Sequence, residues 1–309
     1  MSSGNWKDTQ VTNDSYRSLS SEETKFFAEK EIGFICNICY HRCVLKKGRT
    51  GLCGVFRNIN DHLHTLRGLP ISVEEVNCAE NVNVQFLDPG DKIWVVGFWG
   101  CNLKCKHCIN FRKSYVNDFN RVKDSIKDQS AVEANFLNSG CDTILFSVAE
   151  PTIHLIELIP LLQELRKKAK RIILGTNGYF TQDALNELVK YIDCFRIDVK
   201  SFDEKGYKLI TDYPQSFAKV KYTIESLATK QKKFELTFCI VPGINDKISQ
   251  ILDFCNWLRG VSLDIPLTLI RFIPSSYFHD YRLSTVEELK KIKDIMQGVG
   301  FRYVKIGGT

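Results

Sequence analysis

Between Lys92 and Ile306 the chain alternates short apolar runs with longer amphipathic stretches, and no other feature restricts its fold as strongly. The runs are KIWVVG (92–97), TILFS (143–147), RIILG (171–175), CFRIDV (194–199), FELTFCIV (234–241), LTLIRFI (267–273) and FRYVKI (301–306). Among the stretches between them, LIELIPLLQELRKKA, QDALNELVKYI, ISQILDFCNWL and TVEELKKIKDIM repeat apolar residues at helical spacing. Strands that alternate with such helices pair in parallel, each helix serving as the crossover. Six or seven units fall short of a closed eight-fold barrel. The expected fold class is therefore α/β, an incomplete TIM-type (β/α)6 barrel over residues 85–309. Such a barrel gathers its chemistry at the C-terminal strand ends. Cys101, Glu150, Thr176, Asn177, Asp198, Lys200, Pro242 and Arg271 all fall at or near those ends.

Upstream, residues 28–84 read as a small cysteine-bearing unit followed by a connector, and residues 1–27 as a disordered polar tail. The tail has no apolar core of signal-peptide length, and no stretch of the chain is long and apolar enough for a membrane span. Twelve cysteines in such a chain point to reduced thiols and metal ligation rather than a disulfide framework. A cytoplasmic location follows as the expectation, with no membrane partner. The formal charge is +6, with basic runs at 166–171, 230–233 and 290–293. These read as solvated helix ends and loops, and nucleic acid is not expected as a partner.

The cysteines fall into two groups and a remainder. Cys101-x3-Cys105-x2-Cys108 follows Gly100 at the end of the first run. Three thiolates leave one iron of a cubane without a protein ligand, as an open position does on a catalytic zinc. Zinc, or an ordinary electron-transfer cluster, remains the alternative on spacing alone. Cys36-x2-Cys39-x3-Cys43-x9-Cys53 supplies four thiolates in a stretch rich in turns and charge, which suits tetrahedral zinc or a 4Fe–4S cubane equally. Cys78, Cys141, Cys194, Cys239 and Cys255 are scattered, mostly within apolar runs, and read as core packing.

The segment GCNLKCKHCIN resembles the CxxxCxxC loop of the radical S-adenosylmethionine superfamily. Taken with CNICYHRCVLKKGRTGLCGV, AEPTI, TNGY, DVKSFDEKGY, VPGIND and IRFIPSSY, it resembles the radical enzyme of the AmmeMemoRadiSam system, a relative of pyruvate formate-lyase activating enzymes. The resemblance spans residues 28 to 306. It implies that Cys101, Cys105 and Cys108 hold a 4Fe–4S cluster whose open iron binds S-adenosylmethionine. Reductive cleavage would then yield a 5′-deoxyadenosyl radical that takes hydrogen from a substrate. His107 occupies the place of a residue that packs near the adenine, with a mere spacer as the alternative. FSVAEPT stands where the superfamily often has Gly-Gly-Glu-Pro around the cofactor's amino group, so Ala149 and Glu150 are expected contacts. Simple helix capping by Glu-Pro-Thr is the alternative, and β-branched Val148 disfavours a positive φ. Thr176, Asn177, Asp198 and Lys200 match segments that contact the ribose, the carboxylate and a bound cation. Gly175, however, stands where an acidic residue is frequent, and Asp198 with Lys200 could instead form a structural ion pair on the rim. Arg271 completes the expected cofactor set.

The implied reductant is a low-potential ferredoxin or flavodoxin. A wide, uncapped barrel mouth favours a protein substrate, as for an activase. The alternatives are a small metabolite or cofactor precursor, with residues 54–90 over the opening, and a non-catalytic iron–sulfur or zinc scaffold.

Overall fold

The computed structural model describes residues 15–307. Seven parallel strands pair side by side in chain order: β1 (Lys92–Phe98), β2 (Thr143–Ser147), β3 (Arg171–Thr176), β4 (Cys194–Val199), β5 (Lys233–Ile240), β6 (Leu267–Arg271) and β7 (Val304–Gly307). Each lies on one of the seven apolar runs. The crossovers carry α1 (Gln129–Asn138), α2 (Leu155–Leu165), α3 (Gln182–Leu188), α4 (Glu204–Thr211), α5 (Ser216–Thr229), α6 (Ile248–Arg259) and α7 (Val286–Val299). The sheet does not close on itself, which is the incomplete barrel the alternation predicts.

Strand side chains alternate between two environments. Val96, Ile144, Phe146, Ile172, Leu174, Phe195, Ile197, Leu236 and Phe238 face the helices and join Leu158, Leu162, Leu188, Ile224 and Phe254 in the main core. Ile93, Val95, Leu145, Ile173 and Cys194 face inward and pack against Ala79, Val84 and Leu87. The segment just before β1 therefore fills part of the barrel interior. Glu235 of β5 fixes it, its Oε2 accepting the backbone N–H of Gln85 at 2.8 Å and of Phe86 at 3.2 Å. Gln85 Nε2 donates in turn to the Leu267 carbonyl at 3.0 Å and to Thr268 Oγ1 at 2.9 Å.

Burial pushes the Glu235 carboxyl up to about 7, while Arg196 on the next strand and the two N–H donors pull it back. A carboxyl raised on folding contributes stability that is fully present below its ordinary value near 4.5 and is lost as pH rises through about 7. Glutamine has no charge to acquire and keeps an oxygen for the two donors. Glu235→Gln is expected to gain on the wild type between pH 5 and 8, by up to about 3 kcal/mol at the upper end. Denaturant unfolding across that pH range checks it, and parallel curves for the two proteins would refute it.

The barrel sheet begins earlier than the expected boundary at residue 84. Leu69–Cys78 runs antiparallel to β1, and Ile126–Lys127 pairs with its start. An uncovered β1 edge would expose a row of backbone donors and acceptors, and this strand covers it. Two three-stranded antiparallel sheets precede it, Phe27–Lys30 with Gly33–Cys36 and Val44–Leu45, and Tyr16–Ser18 with His62–Leu66 and Arg57–Ile59. Residues 15–27 are thus structured, contrary to the disordered tail expected there. Tyr16 is buried and donates its hydroxyl to the Gly54 carbonyl at 2.7 Å, and Arg17 Nε donates to Glu157 of α2 at 2.8 Å. The rest of the expected tail, residues 1–14, lies outside the described residues. No helix among the described residues is long and apolar enough to cross a membrane.

Candidate active site

A cavity of about 500 Å³ opens at the C-terminal ends of β1 to β6. Cys101, Cys105, His107 and Cys108 line it, together with Ala149, Asn177, Asp198, Lys200 and Arg271. Nine of the eleven barrel residues expected at the site therefore share one chamber. Glu150 and Thr176 stand behind its wall.

The cysteine loop leaves β1 through Gly100, whose φ of +87° suits glycine. Cys101 Sγ accepts the Leu103 N–H at 3.3 Å and lies 3.7 Å from Asn177 Nδ2. Asn177 Nδ2 also donates to Asn102 Oδ1 at 2.7 Å, and Asn102 Nδ2 donates to the Tyr179 carbonyl at 3.2 Å. These donors stabilise negative charge on sulfur, the form in which cysteine binds metal. Burial opposes that charge, pushing Cys101 well above its ordinary value and Cys105 up to about 12. Metal binding at these thiols must therefore expel protons. Among the described residues, no group of three or more His, Cys, Asp or Glu side chains is close enough to share a single ion. Cysteines that bind separate irons of one cluster do not need that proximity.

After β2 the backbone departs from expectation. Val148 and Ala149 have φ of +52° and +58°, so two consecutive L-residues adopt the left-handed region where the Val148 side chain argued against it. Flanking hydrogen bonds enforce the turn: Phe98 N–H donates to the Val148 carbonyl at 3.3 Å, and Glu150 N–H to the Gly100 carbonyl at 3.2 Å. Gly97 gives Val148 its room, since a Cβ there would lie 2.8 Å from Val148 Cβ. Strained backbone of this kind collects at functional sites. Ala149→Gly removes one strained position without touching the Val148 packing. It is expected to raise stability by about 0.5–1 kcal/mol, read as an increase of a few degrees in Tm. An unchanged or lower Tm would argue that the turn is unstrained.

Glu150 is fully buried and is a hub rather than a wall residue. Its Oε1 accepts Thr152 Oγ1 at 2.6 Å, Thr152 N at 3.3 Å and Thr176 Oγ1 at 2.7 Å, and its Oε2 accepts Asn177 N at 2.8 Å. Capping of the Pro151–His154 turn and cross-linking of β2 to β3 are thus combined in one carboxylate. Burial raises its pKa and these donors oppose the shift.

At the end of β4, Asp198 and the following Lys200 both line the cavity with 3.8 Å between Oδ2 and Nζ, so the rim ion pair and the cavity position coexist. Burial would lower Lys200, but Asp198 and the nearby Cys105 and Cys108 hold it above its ordinary value. His107 is buried, with Nδ1 unpartnered. Desolvation, aided by the Lys200 charge, pushes it down to about 3, so the ring is neutral at pH 7. Arg271 Nε donates to the Ser284 carbonyl at 3.1 Å. Among the cavity residues that escaped sequence reading are Ser147, Arg196 and Thr237. Arg196 carried a usable signal, because it precedes Asp198 by two and must share its face. Cys239, expected in the core, also lines the cavity.

The N-terminal cysteines lie close to this loop. Cys36, Cys39 and Cys53 are buried and Cys43 half-buried, and burial raises the pKa of all four thiols. Their unit docks on the segment after β3, where Thr181 N–H donates to the Ile38 carbonyl at 3.0 Å. His41 Nε2 donates to the Asn102 carbonyl at 2.7 Å, and its ring packs between Tyr179 and Tyr213.

A putatively named glycyl-radical enzyme activating enzyme of Methanocaldococcus jannaschii is 26% identical over 219 residues, covering 69% of this chain and 79% of that protein. Pyruvate formate-lyase-activating enzyme of Clostridium pasteurianum is 24% identical over 207 residues, covering 65% and 82% respectively. Among solved structures, Streptococcus suis SuiB bound to S-adenosylmethionine superimposes with a TM-score of 0.54 at 13% identity, over 69% of this chain and 52% of that one. A radical SAM methyltransferase from Sphaerobacter thermophilus gives 0.53 at 12% identity, over 78% of each chain. These superpositions concern the fold alone. The family model described as Radical SAM superfamily matches residues 96–255, just over half of the chain, and the chain belongs to that superfamily.

Proposed function

We propose that the cavity is the active site of an activase-like enzyme that takes hydrogen from a protein substrate, with Cys101, Cys105 and Cys108 as its cluster ligands. Superfamily membership makes the chain an S-adenosylmethionine-dependent radical enzyme and implies a 4Fe–4S cluster. When bound, the pair supplies a one-electron cleavage of the cofactor's carbon–sulfur bond and a carbon radical that removes hydrogen. The observation that carries the reading is the convergence of three thiols from one loop and the ends of β2, β3 and β4 on a single chamber.

This chain's own groups have distinct tasks. The Ala149 backbone presents polar groups for the cofactor's ammonium, and Glu150 with Thr176 fixes that backbone from behind. Asn177 and the Leu103 N–H donate to Cys101 sulfur. Asp198, Lys200 and Arg271 offer charge and hydrogen bonds to the ribose and carboxylate, while neutral His107 packs beside the adenine. Cys36, Cys39, Cys43 and Cys53 form a second centre of structural or electron-relaying use, read as 4Fe–4S rather than zinc because no three of these thiols are close enough to share one ion. A ferredoxin or flavodoxin delivers the electron in a cytoplasmic setting. Relatives named as activators of other enzymes support a protein substrate.

Anaerobically reconstituted protein given dithionite and S-adenosylmethionine is expected to release 5′-deoxyadenosine. None from a fully loaded, reduced sample would favour the scaffold alternative. The macromolecular fraction of a cell extract should accelerate release, and acceleration by the dialysable fraction instead would point to a small substrate.

A further inference from the structure

One thiol in the chamber belongs to neither group of metal ligands. Among the described residues, the cavity is lined by Cys101, Cys105 and Cys108 of the loop and by Cys239, next to last in β5. Cys239 is in no disulfide, and Cys78, Cys141, Cys194 and Cys255 do not line the cavity. Its side chain packs in one apolar group with Cys105, Cys108 and Ala149, alongside Val241 and Phe272. The charges of Lys200, Asp198, Cys108 and Cys105 reach it. The strand end that carries it is held in place by buried Asn245. Asn245 Nδ2 donates to the Cys239 carbonyl at 2.9 Å and to the Lys200 carbonyl at 3.1 Å, while its Oδ1 accepts the Val241 N–H at 2.6 Å.

Thr237 stands two residues earlier on β5 and so shares the face of Cys239. It is 5% exposed, it lines the same cavity, and its Oγ1 is buried without a partner. Buried hydroxyls are normally hydrogen-bonded, so this wall suits a polar molecule seated in the chamber beside the thiol.

A thiol in such a place has chemistry of its own. Its S–H bond is weaker than the primary C–H bond of a 5′-deoxy sugar, so hydrogen passes downhill from sulfur to a 5′-carbon radical. A thiyl radical, in turn, takes hydrogen from a C–H bond weakened by a flanking carbonyl or nitrogen, as at the α-carbon of a peptide. We propose that Cys239 is a catalytic hydrogen relay between the cofactor and the substrate, a role that rests on the cofactor reading above. In the first half its S–H bond breaks and the 5′-carbon gains a C–H bond. In the second the substrate's C–H bond breaks and the S–H bond is restored. One unpaired electron is carried from nucleoside to sulfur to substrate carbon, and no proton or further electron enters. The substrate class that fits is a peptide segment offering an α-carbon.

The test uses full-length, cluster-reconstituted protein in deuterium oxide without added thiols, as wild type, Cys239→Ser and Cys239→Ala. Solvent O–D bonds are too strong to yield to a carbon radical, whereas a thiol exchanges its hydrogen with solvent before reduction begins. After dithionite and S-adenosylmethionine are added, mass spectrometry of the 5′-deoxyadenosine from the wild type should find solvent deuterium at the 5′ carbon. Product from either variant should fall to natural abundance. The label should persist when the macromolecular fraction of a cell extract, exchanged into the same buffer, is present. Unlabelled product from the wild type, with or without that fraction, would overturn the relay, as would variants that keep the label. A second measurement needs no turnover. In unreduced protein S-adenosylmethionine should protect Cys239 from alkylation by iodoacetamide, and undiminished alkylation would place the sulfur away from the cofactor and overturn the relay too. This measurement decides the matter if neither variant folds. Wild-type protein that releases no 5′-deoxyadenosine would sink the cofactor reading together with the relay, whereas release without label sinks the relay alone.

Discussion

Cys105→Ala is expected to lower 5′-deoxyadenosine release to the background of unloaded protein while leaving the fold intact. The side chain is small and buried, and removing its sulfur costs about 1 kcal/mol, well within the stability of a domain of this size. Its neighbours Cys101 and Cys108 cannot replace it, because a cubane held by two cysteines lacks a third anchor on the loop. The Cys105 backbone is held independently of its sulfur, its carbonyl accepting the Tyr115 hydroxyl at 2.9 Å and the Cys108 N–H at 2.9 Å. Iron analysis after reconstitution should show the loss of this cluster, and circular dichroism should match the wild type. Cys36→Ala gives the contrast, since it removes a ligand of the other group. Release that persists in Cys105→Ala would disqualify the loop as the reaction centre.

Glu150→Ala should cost about 3–5 kcal/mol of stability and most of the affinity for S-adenosylmethionine, although the carboxylate does not line the cavity. The change strands donors from Thr152, Thr176 and Asn177 in a site that water does not reach. Asn177 is then free to shift, and with it the amide beside Cys101 sulfur and the bond to Asn102. Glu150→Gln keeps the shape but replaces one accepting oxygen with a donor that faces donors, so a smaller loss in the same direction is expected. Thermal unfolding and cofactor titration measure the two effects separately. A stable Glu150→Ala variant with unaltered affinity would show that the strand ends are positioned by something else.

The barrel was legible because its strands are buried and its helices amphipathic, so the apolar period changes at each boundary. Helix α1 was not, since only Val132 and Phe136 of its ten residues are buried. The small N-terminal sheets escaped for another reason. Strands of two to five residues in polar sequence leave no period to read, and they are held by single anchors such as Tyr16 and Arg17. The cysteine loop was legible as a motif and Asp198 and Lys200 as strand-end charges, because those signals are local. The orientation of Glu150 was not, since its partners come from a separate strand. Val148 misled because propensity describes an unconstrained backbone, whereas hydrogen bonds to both sides of β1's end hold this one. Residues 79–84 looked like connector, and their apolar side chains, with Leu87 just beyond, find their partners only once the barrel interior exists.

The most direct measurement is the electron paramagnetic resonance spectrum of the dithionite-reduced, reconstituted Cys36→Ala/Cys39→Ala protein, which keeps only two thiols of the N-terminal group, before and after S-adenosylmethionine is added. A cluster held by Cys101, Cys105 and Cys108 alone has an iron that the cofactor can reach, so its signal should change on addition, and isotopic nitrogen in the cofactor should couple to it. A signal indifferent to S-adenosylmethionine, or no iron at all in the loop, would contradict the account.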